Sequence, residues 1–260
     1  MTEGPARRMT RSLAAYEALT ACGKLHEDPV QAEVARRLDS LAGAITDHRP
    51  KANGLLGRLG LGRSSEAPRG IYLYGPVGSG KSMLMDLFFE AVDRPGKRRV
   101  HFHEFMLEVH RRLHEHRRAD REGDPLGPLV RDLAAEARIL CFDELAVHNI
   151  ADAMILSRLF EGLFEHGVVV VATSNFAPER LYEDGLNRER FLPFIDLLER
   201  HLEVIEVDGG TDYRLARLRD LAVYHQPLGP KAQAALERAF AALTDDAVGG
   251  LRFSRWARAG

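Results

Sequence analysis

One segment limits the fold of this 260-residue chain more than any other. Residues 75–82 read GPVGSGKS and match the pattern G-x-x-x-x-G-K-[ST]. An apolar stretch at 71–74 comes directly before it, and an amphipathic stretch at 83–92 follows it. Glycines let such a loop turn tightly, so that its amide groups converge at a helix N-terminus, where the helix dipole favours an anion. The segment therefore predicts a strand, a phosphate-binding loop and a helix, in that order.

The rest of the chain predicts an α/β core between two flanking regions. Further strands are expected at residues 99–103, 139–142, 168–174 and 202–207, with amphipathic helices between them. Apolar strands alternating with such helices indicate a parallel sheet that is covered on both faces. We expect a helical arm with a Gly-rich connector at 1–68, the core at 69–208, and a tail at 209–260 with one amphipathic helix at 231–243. Asp28, before Pro29, is the expected N-cap of a helix in the arm.

The predicted loop indicates a nucleotide triphosphate as its ligand. Lys81 is expected to reach the β- and γ-phosphates, and Ser82 to ligate Mg²⁺, a hard cation that takes oxygen ligands. An N-K-x-D motif for reading guanine is missing from the sequence, so we expect ATP rather than GTP. The residues predicted to contact the nucleotide are Gly75, Pro76, Val77, Gly78, Ser79, Gly80, Lys81, Ser82 and Met83.

Polar residues follow two of the predicted strands. Asp143 and Glu144 come directly after the strand at 139–142, and Asn175 follows the strand at 168–174. At the carboxyl ends of parallel strands such side chains face a ligand crevice. We expect Asp143 to hold Mg²⁺, Glu144 to deprotonate the attacking water, and Asn175 to sense the γ-phosphate. The alternatives are an acid pair that stabilises the N-terminus of the next helix and a turn-forming asparagine.

Two arginines precede the last predicted core helix. Either Arg188 or Arg190 could act in a neighbouring subunit as an arginine finger, which stabilises transition-state charge in trans and implies a homo-oligomer. The alternative is a surface arginine that pairs with Glu183 or Glu189.

Charge and composition limit the partners and the location. The formal net charge of −2 creates no basic field that would favour nucleic acid, so nucleic acid is not the expected partner. The apolar run at 168–172 is far shorter than the ~20 residues that span a bilayer, so no transmembrane segment is expected. Two distant cysteines, Cys22 and Cys141, fit a reducing compartment, and we expect a cytoplasmic protein.

Several stretches within residues 16–214 resemble the ZapE family of cell-division ATPases and their mitochondrial relatives, the AFG-one-like ATPases. They are RVHFHEFM at 99–106, CFDE at 141–144, ATSN at 172–175, GLNRERFLP at 185–193 and TDYR at 211–214. The resemblance implies a P-loop NTPase of the AAA+ type with a five-stranded parallel sheet in the order 5-1-4-3-2. It also implies Mg²⁺-dependent ATP hydrolysis coupled to the remodelling or regulation of a protein partner, with a role at the division site in bacteria.

The sequence departs from the family at two places. Asn149 stands where the family usually has an aspartate, and residues after about 245 no longer follow the family, which implies a truncated C-terminal lid. Such a lid normally helps to hold the adenine side of the nucleotide. An alternative function is therefore a nucleotide-dependent adaptor that binds ATP and hydrolyses little of it.

Overall fold

The computed structural model describes residues 11–48, 67–119 and 123–208. Helix α1 (Arg11–Ala21) and helix α2 (Pro29–Asp47) come first. The Asp28 side chain accepts hydrogen bonds from the backbone amides of Val30 and Gln31, so the prediction of an N-cap followed by proline is confirmed. The predicted helix at 231–243 and most of the predicted connector lie outside the described residues.

Five strands and five longer helices form the rest of the described chain. They are β1 (Gly70–Tyr74), α3 (Lys81–Ala91), β2 (Lys97–His101), α4 (Phe102–Ala119), α5 (Leu126–Glu136), β3 (Ile139–Asp143), α6 (Ile150–Glu165), β4 (Val169–Ser174), α7 (Leu192–His201) and β5 (Leu202–Glu206). Two single-turn 3-10 helices, Pro178–Arg180 and Arg188–Arg190, lie between β4 and α7.

All five strands are parallel, and their order is β2-β3-β4-β1-β5. This is the expected order 5-1-4-3-2 counted from the other edge, so the prediction of a P-loop NTPase fold is confirmed. Every residue of β3 and β4 is buried, whereas the edge strands β2 and β5 are mostly half-buried. The register pairs Phe142 with Ala172 and Leu73 with Thr173. The ends of β3, β4 and β1 therefore lie side by side.

Helices cover both faces of the sheet because its strands are apolar on both sides. One face packs against α1, α2 and α3, with Ile71, Cys141 and Val171 among the buried strand residues. The opposite face, which includes Tyr72 and Phe142, packs against α4, α5, α6 and α7. The boundary at residue 68 between arm and core stays a prediction, although α1 and α2 contribute buried residues to the same cluster as α3.

The second strand and the following helix differ from the sequence prediction. The strand was expected to reach residue 103, but β2 ends at His101 and α4 begins at Phe102. The reason is packing, because Phe102 and Phe105 are spaced to lie on one face of a helix, where both are fully buried. Their rings lie 5.6 and 4.8 Å from the Phe142 ring, respectively, between centroids.

No helix in the described parts of the chain has the length and apolar character needed to cross a membrane.

Candidate active site

The predicted phosphate loop connects β1 to α3, as the sequence pattern requires. Gly75 has φ +151°, and a Cβ atom there would lie 2.4 Å from the carbonyl oxygen of Val207, so only glycine fits this close approach. Gly80 is in the left-handed region, with φ +92°, and forms the N-cap of α3. The loop therefore ends at a helix N-terminus that carries unpaired amide groups.

Lys81 is the first residue of α3, and its ammonium group folds back over the loop. It donates hydrogen bonds to the carbonyl oxygens of Gly75 and Pro76, at 2.8 and 2.7 Å, and the residue is 8% exposed. Ser79 is also buried, whereas Ser82 is exposed. The lysine charge thus lies beside the loop backbone, where an anion bound by the loop would meet it.

Gln31 of α2 also contacts the loop, which the sequence did not reveal. Its Nε2 atom donates to the carbonyl oxygen of Ser79 at 2.9 Å, and the residue is 2% exposed. Among the described residues no donor reaches its Oε1 atom. The only signal in the sequence was its place three residues after the N-cap Asp28, which says nothing of a contact 48 residues away along the chain.

Asp143 and Glu144 have different surroundings although they are neighbours in the chain. Asp143 ends β3 and is buried, whereas Glu144 is exposed and has φ +56°. That conformation costs about 1–2 kcal/mol for a residue with a side chain. It is held by Thr173 of β4, whose Oγ1 accepts a hydrogen bond from the Glu144 amide at 3.1 Å and whose carbonyl oxygen accepts one from Leu145 at 2.7 Å.

Asp143 forms an ion pair that was not predicted. Arg99 of β2 donates from Nε to Oδ2 at 2.6 Å and from Nη2 to Oδ1 at 3.1 Å, so both carboxylate oxygens accept from one guanidinium group. Arg99 also pairs with Asp86 of α3. The hydrogen bonds to Asp143 raise the pKa of Arg99 above its ordinary value. The sequence signal was a run of three basic residues, Lys97, Arg98 and Arg99, of which only Arg99 lies in the strand predicted at 99–103.

A cleft of about 600 Å³ opens where β2, β3 and β4 end. It brings together three of the predicted site residues, since Asp143, Glu144 and Asn175 all line it. The described loop residues 75–82 do not line this cleft. Its other lining residues come mainly from the start of α4 and from the segment before α6; they are His101, Phe102, His103, Glu104, Leu145, Ala146, His148, Asn149, Asp152 and Phe176.

Asn149 forms the N-cap of α6 at one wall of this cleft. Its Oδ1 accepts from the Asp152 amide at 2.8 Å, and its Nδ2 donates to Asp152 Oδ2 at 2.7 Å. His110 of α4 contacts the other carboxylate oxygen at 2.6 Å. An amide serves this position better than a carboxylate would, because it both accepts from the helix and donates to Asp152.

The two candidate finger arginines have different environments in the 3-10 turn before α7. Arg188 is half-buried and donates to the carbonyl oxygen of Glu179. Arg190 is exposed, and within residues 123–208 its side chain makes no hydrogen bond or ion pair in the structure. Neither arginine lines the cleft that contains Glu144.

Known proteins resemble the chain over most of its length. The family model described as AFG1-like ATPase matches residues 10–250. The cell division protein ZapE of Escherichia coli K12 is 39% identical over 230 residues, which cover 85% of this chain and 60% of ZapE. Lactation elevated protein 1 homolog B of Danio rerio is 46% identical over 182 residues, which cover 66% of this chain and 36% of that protein.

Among solved structures, the DnaC helicase loader aligns with a TM-score of 0.46 and 14% identity, over 70% of this chain and 93% of that chain. The chain spans 60% of the length of ZapE and 36% of the length of the Danio rerio protein, which is less than two thirds in both cases. The family model, however, matches far more than half of this chain, in agreement with the loop motif and the strand order. The chain belongs to the AFG1-like ATPase family.

Proposed function

We propose that the chain binds ATP with Mg²⁺ and hydrolyses it, and that hydrolysis acts on a protein partner. One observation carries this proposal. The strand order puts β4 between the loop-bearing strand β1 and the acid-bearing strand β3. Adjacent strands lie about 4.8 Å apart, so the ends of β1 and β3 are about 10 Å apart, which is a distance that a triphosphate can span.

The donor atoms of the loop and of β3 suit the proposed ligands. The amides at the start of α3 and the Lys81 ammonium suit the phosphates. The Ser82 hydroxyl and the Asp143 carboxylate are hard oxygen donors, which are the type that Mg²⁺ prefers. When bound, the metal would offset negative charge on the phosphates. Lys81 would then exchange a loop carbonyl for phosphate oxygens, which a flexible lysine side chain can do.

Glu144 is the proposed general base. Its side chain is exposed, and it lines the same cleft as Asn175. A base must reach the proton that it removes, and the strained backbone at φ +56° directs this residue away from the buried pleat of β3. Asn175 is the proposed γ-phosphate sensor, because it lies at the end of the strand between β1 and β3.

The finger arginine is proposed to act between subunits of a homo-oligomer. Arg190 is the stronger candidate, because it is exposed while Arg188 is held by the Glu179 carbonyl. ZapE is named a cell division protein, and from this likeness we propose a partner in division-site machinery. A cytoplasmic location is part of the same proposal, and both cysteines are free thiols in the structure.

One observation favours the alternative function, an adaptor that binds ATP and hydrolyses little of it. The carboxylate of Asp143 is already paired with Arg99 through both of its oxygens. A metal ligand in this state must share its charge with a guanidinium group, and this would slow a reaction that depends on the metal.

Two variants test the proposed function directly. We expect Lys81→Ala to abolish binding of a fluorescent ATP analogue. We expect Glu144→Gln to bind the analogue as the parent does but to lose ATP turnover by about 100-fold or more. If Glu144→Gln hydrolyses ATP as fast as the parent, Glu144 is not the base.

Single-turnover hydrolysis measured against protein concentration separates the enzyme from the adaptor. A trans-acting finger predicts a rate that rises steeply as subunits assemble, and Arg190→Ala should remove this rise. Arg180→Ala is the matched control, because Arg180 lies in the neighbouring 3-10 turn and pairs only with Glu183 among the described residues. A low rate that does not change with concentration supports the adaptor.

A further inference from the structure

The ion pair between Arg99 and Asp143 joins the proposed metal site to the edge strand β2. His101 pairs with Asp143 in the sheet register, so Arg99 lies two residues earlier on the neighbouring strand and on the same face. Its Nε and Nη2 atoms bind the two oxygens of Asp143, and its third nitrogen pairs with Asp86. The guanidinium group is therefore fixed between β3 and α3.

This arrangement changes what a divalent cation meets at Asp143. The side chain of Asp143 is 10% exposed and that of Arg99 is 23% exposed, so water screens the pair weakly. The guanidinium group of Arg99 neutralises the charge of the Asp143 carboxylate. A cation that approaches this carboxylate is also repelled by the fixed positive charge of Arg99. The second carboxylate, Asp86, is 54% exposed, so solvent weakens its contribution.

We propose that Arg99 is a positioning residue that prevents the acid pair from binding a divalent cation on its own. A cation would then be retained only together with the phosphates of a nucleotide, whose negative charge offsets that of Arg99. The inference extends the proposed function, because it assigns a selectivity for the metal–nucleotide complex to the same site. Only one part of the inference, retention of the cation together with a nucleotide, rests on that function. The other part, weak binding of a free cation, can be measured without nucleotide.

The test is a titration of the folded protein with Mn²⁺, followed by electron paramagnetic resonance of the unbound ion. Without nucleotide, the parent should bind Mn²⁺ only at concentrations above about 1 mM, whereas Arg99→Gln should bind it at least about tenfold more tightly, because a fixed positive charge has been removed. Arg99→Lys keeps the charge and should behave like the parent. The double variant Arg99→Gln with Asp143→Asn should lose the gain, which would locate the new site at Asp143.

Arg98→Gln is the matched control. Arg98 precedes Arg99 on the same strand, but it pairs with Glu108 of α4 on the other face of the sheet. The Arg98→Gln variant removes the same charge from the protein as Arg99→Gln does, but it should leave Mn²⁺ binding unchanged. Equal gains in Arg98→Gln and Arg99→Gln would overturn the proposal, because net charge alone would then explain them.

Two outcomes keep the inference apart from the proposed function. If the parent binds free Mn²⁺ with a dissociation constant below about 0.1 mM, the proposal is overturned whether or not Arg99→Gln folds. A fluorescent ATP analogue, titrated in the presence of EDTA and then of Mn²⁺, tests whether the cation is retained together with a nucleotide. Failure of the parent to bind the analogue under both conditions would remove the proposed function, whereas the Mn²⁺ result would still decide the role of Arg99.

Discussion

The hydroxyl of Thr173 holds the proposed base in place, and replacing it tests that role. Thr173 is 1% exposed, and its Oγ1 is the acceptor for the Glu144 amide. Thr173→Val keeps the shape of the side chain but removes this acceptor. Loss of one neutral hydrogen bond, with an amide left partly buried and unpaired, costs about 1–2 kcal/mol.

That cost is similar to the strain stored at Glu144. The left-handed conformation at φ +56° is about 1–2 kcal/mol less favourable than the right-handed one. Once the hydrogen bond is lost, an interaction of about the same size as the strain no longer opposes it, and the Glu144 backbone can relax. The Leu145 amide still donates to the Thr173 carbonyl, so β3 and β4 stay joined.

We therefore expect Thr173→Val to lower the free energy of unfolding by about 1–2 kcal/mol and to lower ATP turnover by about tenfold to 100-fold, since a misplaced base loses its reach. Thr173→Ser retains the hydroxyl and should recover most of the turnover. Denaturant unfolding and steady-state ATP hydrolysis are the two measurements. The reasoning is refuted if Thr173→Val loses stability as expected while its turnover stays within twofold of the parent.

Three further experiments, two with substitutions and one with a thiol reagent, test the fold around the site. Gly75→Ala should lower the unfolding midpoint strongly and abolish binding of an ATP analogue, because its methyl group would lie 2.4 Å from the Val207 carbonyl oxygen; unchanged thermal unfolding would contradict this close approach. Phe142→Ala should cost about 3–5 kcal/mol in denaturant unfolding, because this ring lies at the centre of an aromatic cluster; a loss below 1 kcal/mol would show that the cluster can collapse around the gap. Burial raises the pKa of Cys141 to about 12, so a thiol reagent at pH 8 should modify only the exposed Cys22 in the native protein and both cysteines after denaturation.

The loop and the two elements that flank it could be predicted from sequence because their signals are local, whereas the strand order was implied only by the resemblance to a known family. The glycines of the loop, the lysine and the flanking apolar strand are contiguous, and their physical requirements are specific to one backbone path. The position of the acid pair followed in the same way, since it directly follows a continuous apolar strand. The end of β2 was predicted two residues too late, because apolar residues such as Phe102 and Phe105 suit a strand or a helix face equally well.

Contacts between distant segments could not be predicted. Gln31 and Ser79 are 48 residues apart, and Arg99 and Asp143 are 44 residues apart. No periodicity or local propensity reports such a pairing. The basic run in β2 was visible in the sequence. The predicted strand alone, however, did not show which arginine would lie on the face of the sheet that α3 covers.

Neighbouring carboxylates can do different work because the backbone separates them. Asp143 still belongs to the pleat of β3 and faces Arg99 and α3, whereas Glu144 leaves the pleat at φ +56° and is exposed in the cleft beside Asn175. An extended backbone at residue 144 would continue the strand, and its side chain would then point to the face covered by α4 and α6. The strained residue therefore lets one strand end carry a buried carboxylate, which is the proposed metal ligand, next to an exposed one, which is the proposed base. For this reason the proposed chemistry depends on the hydroxyl of Thr173, which holds the Glu144 backbone, as well as on the two acids.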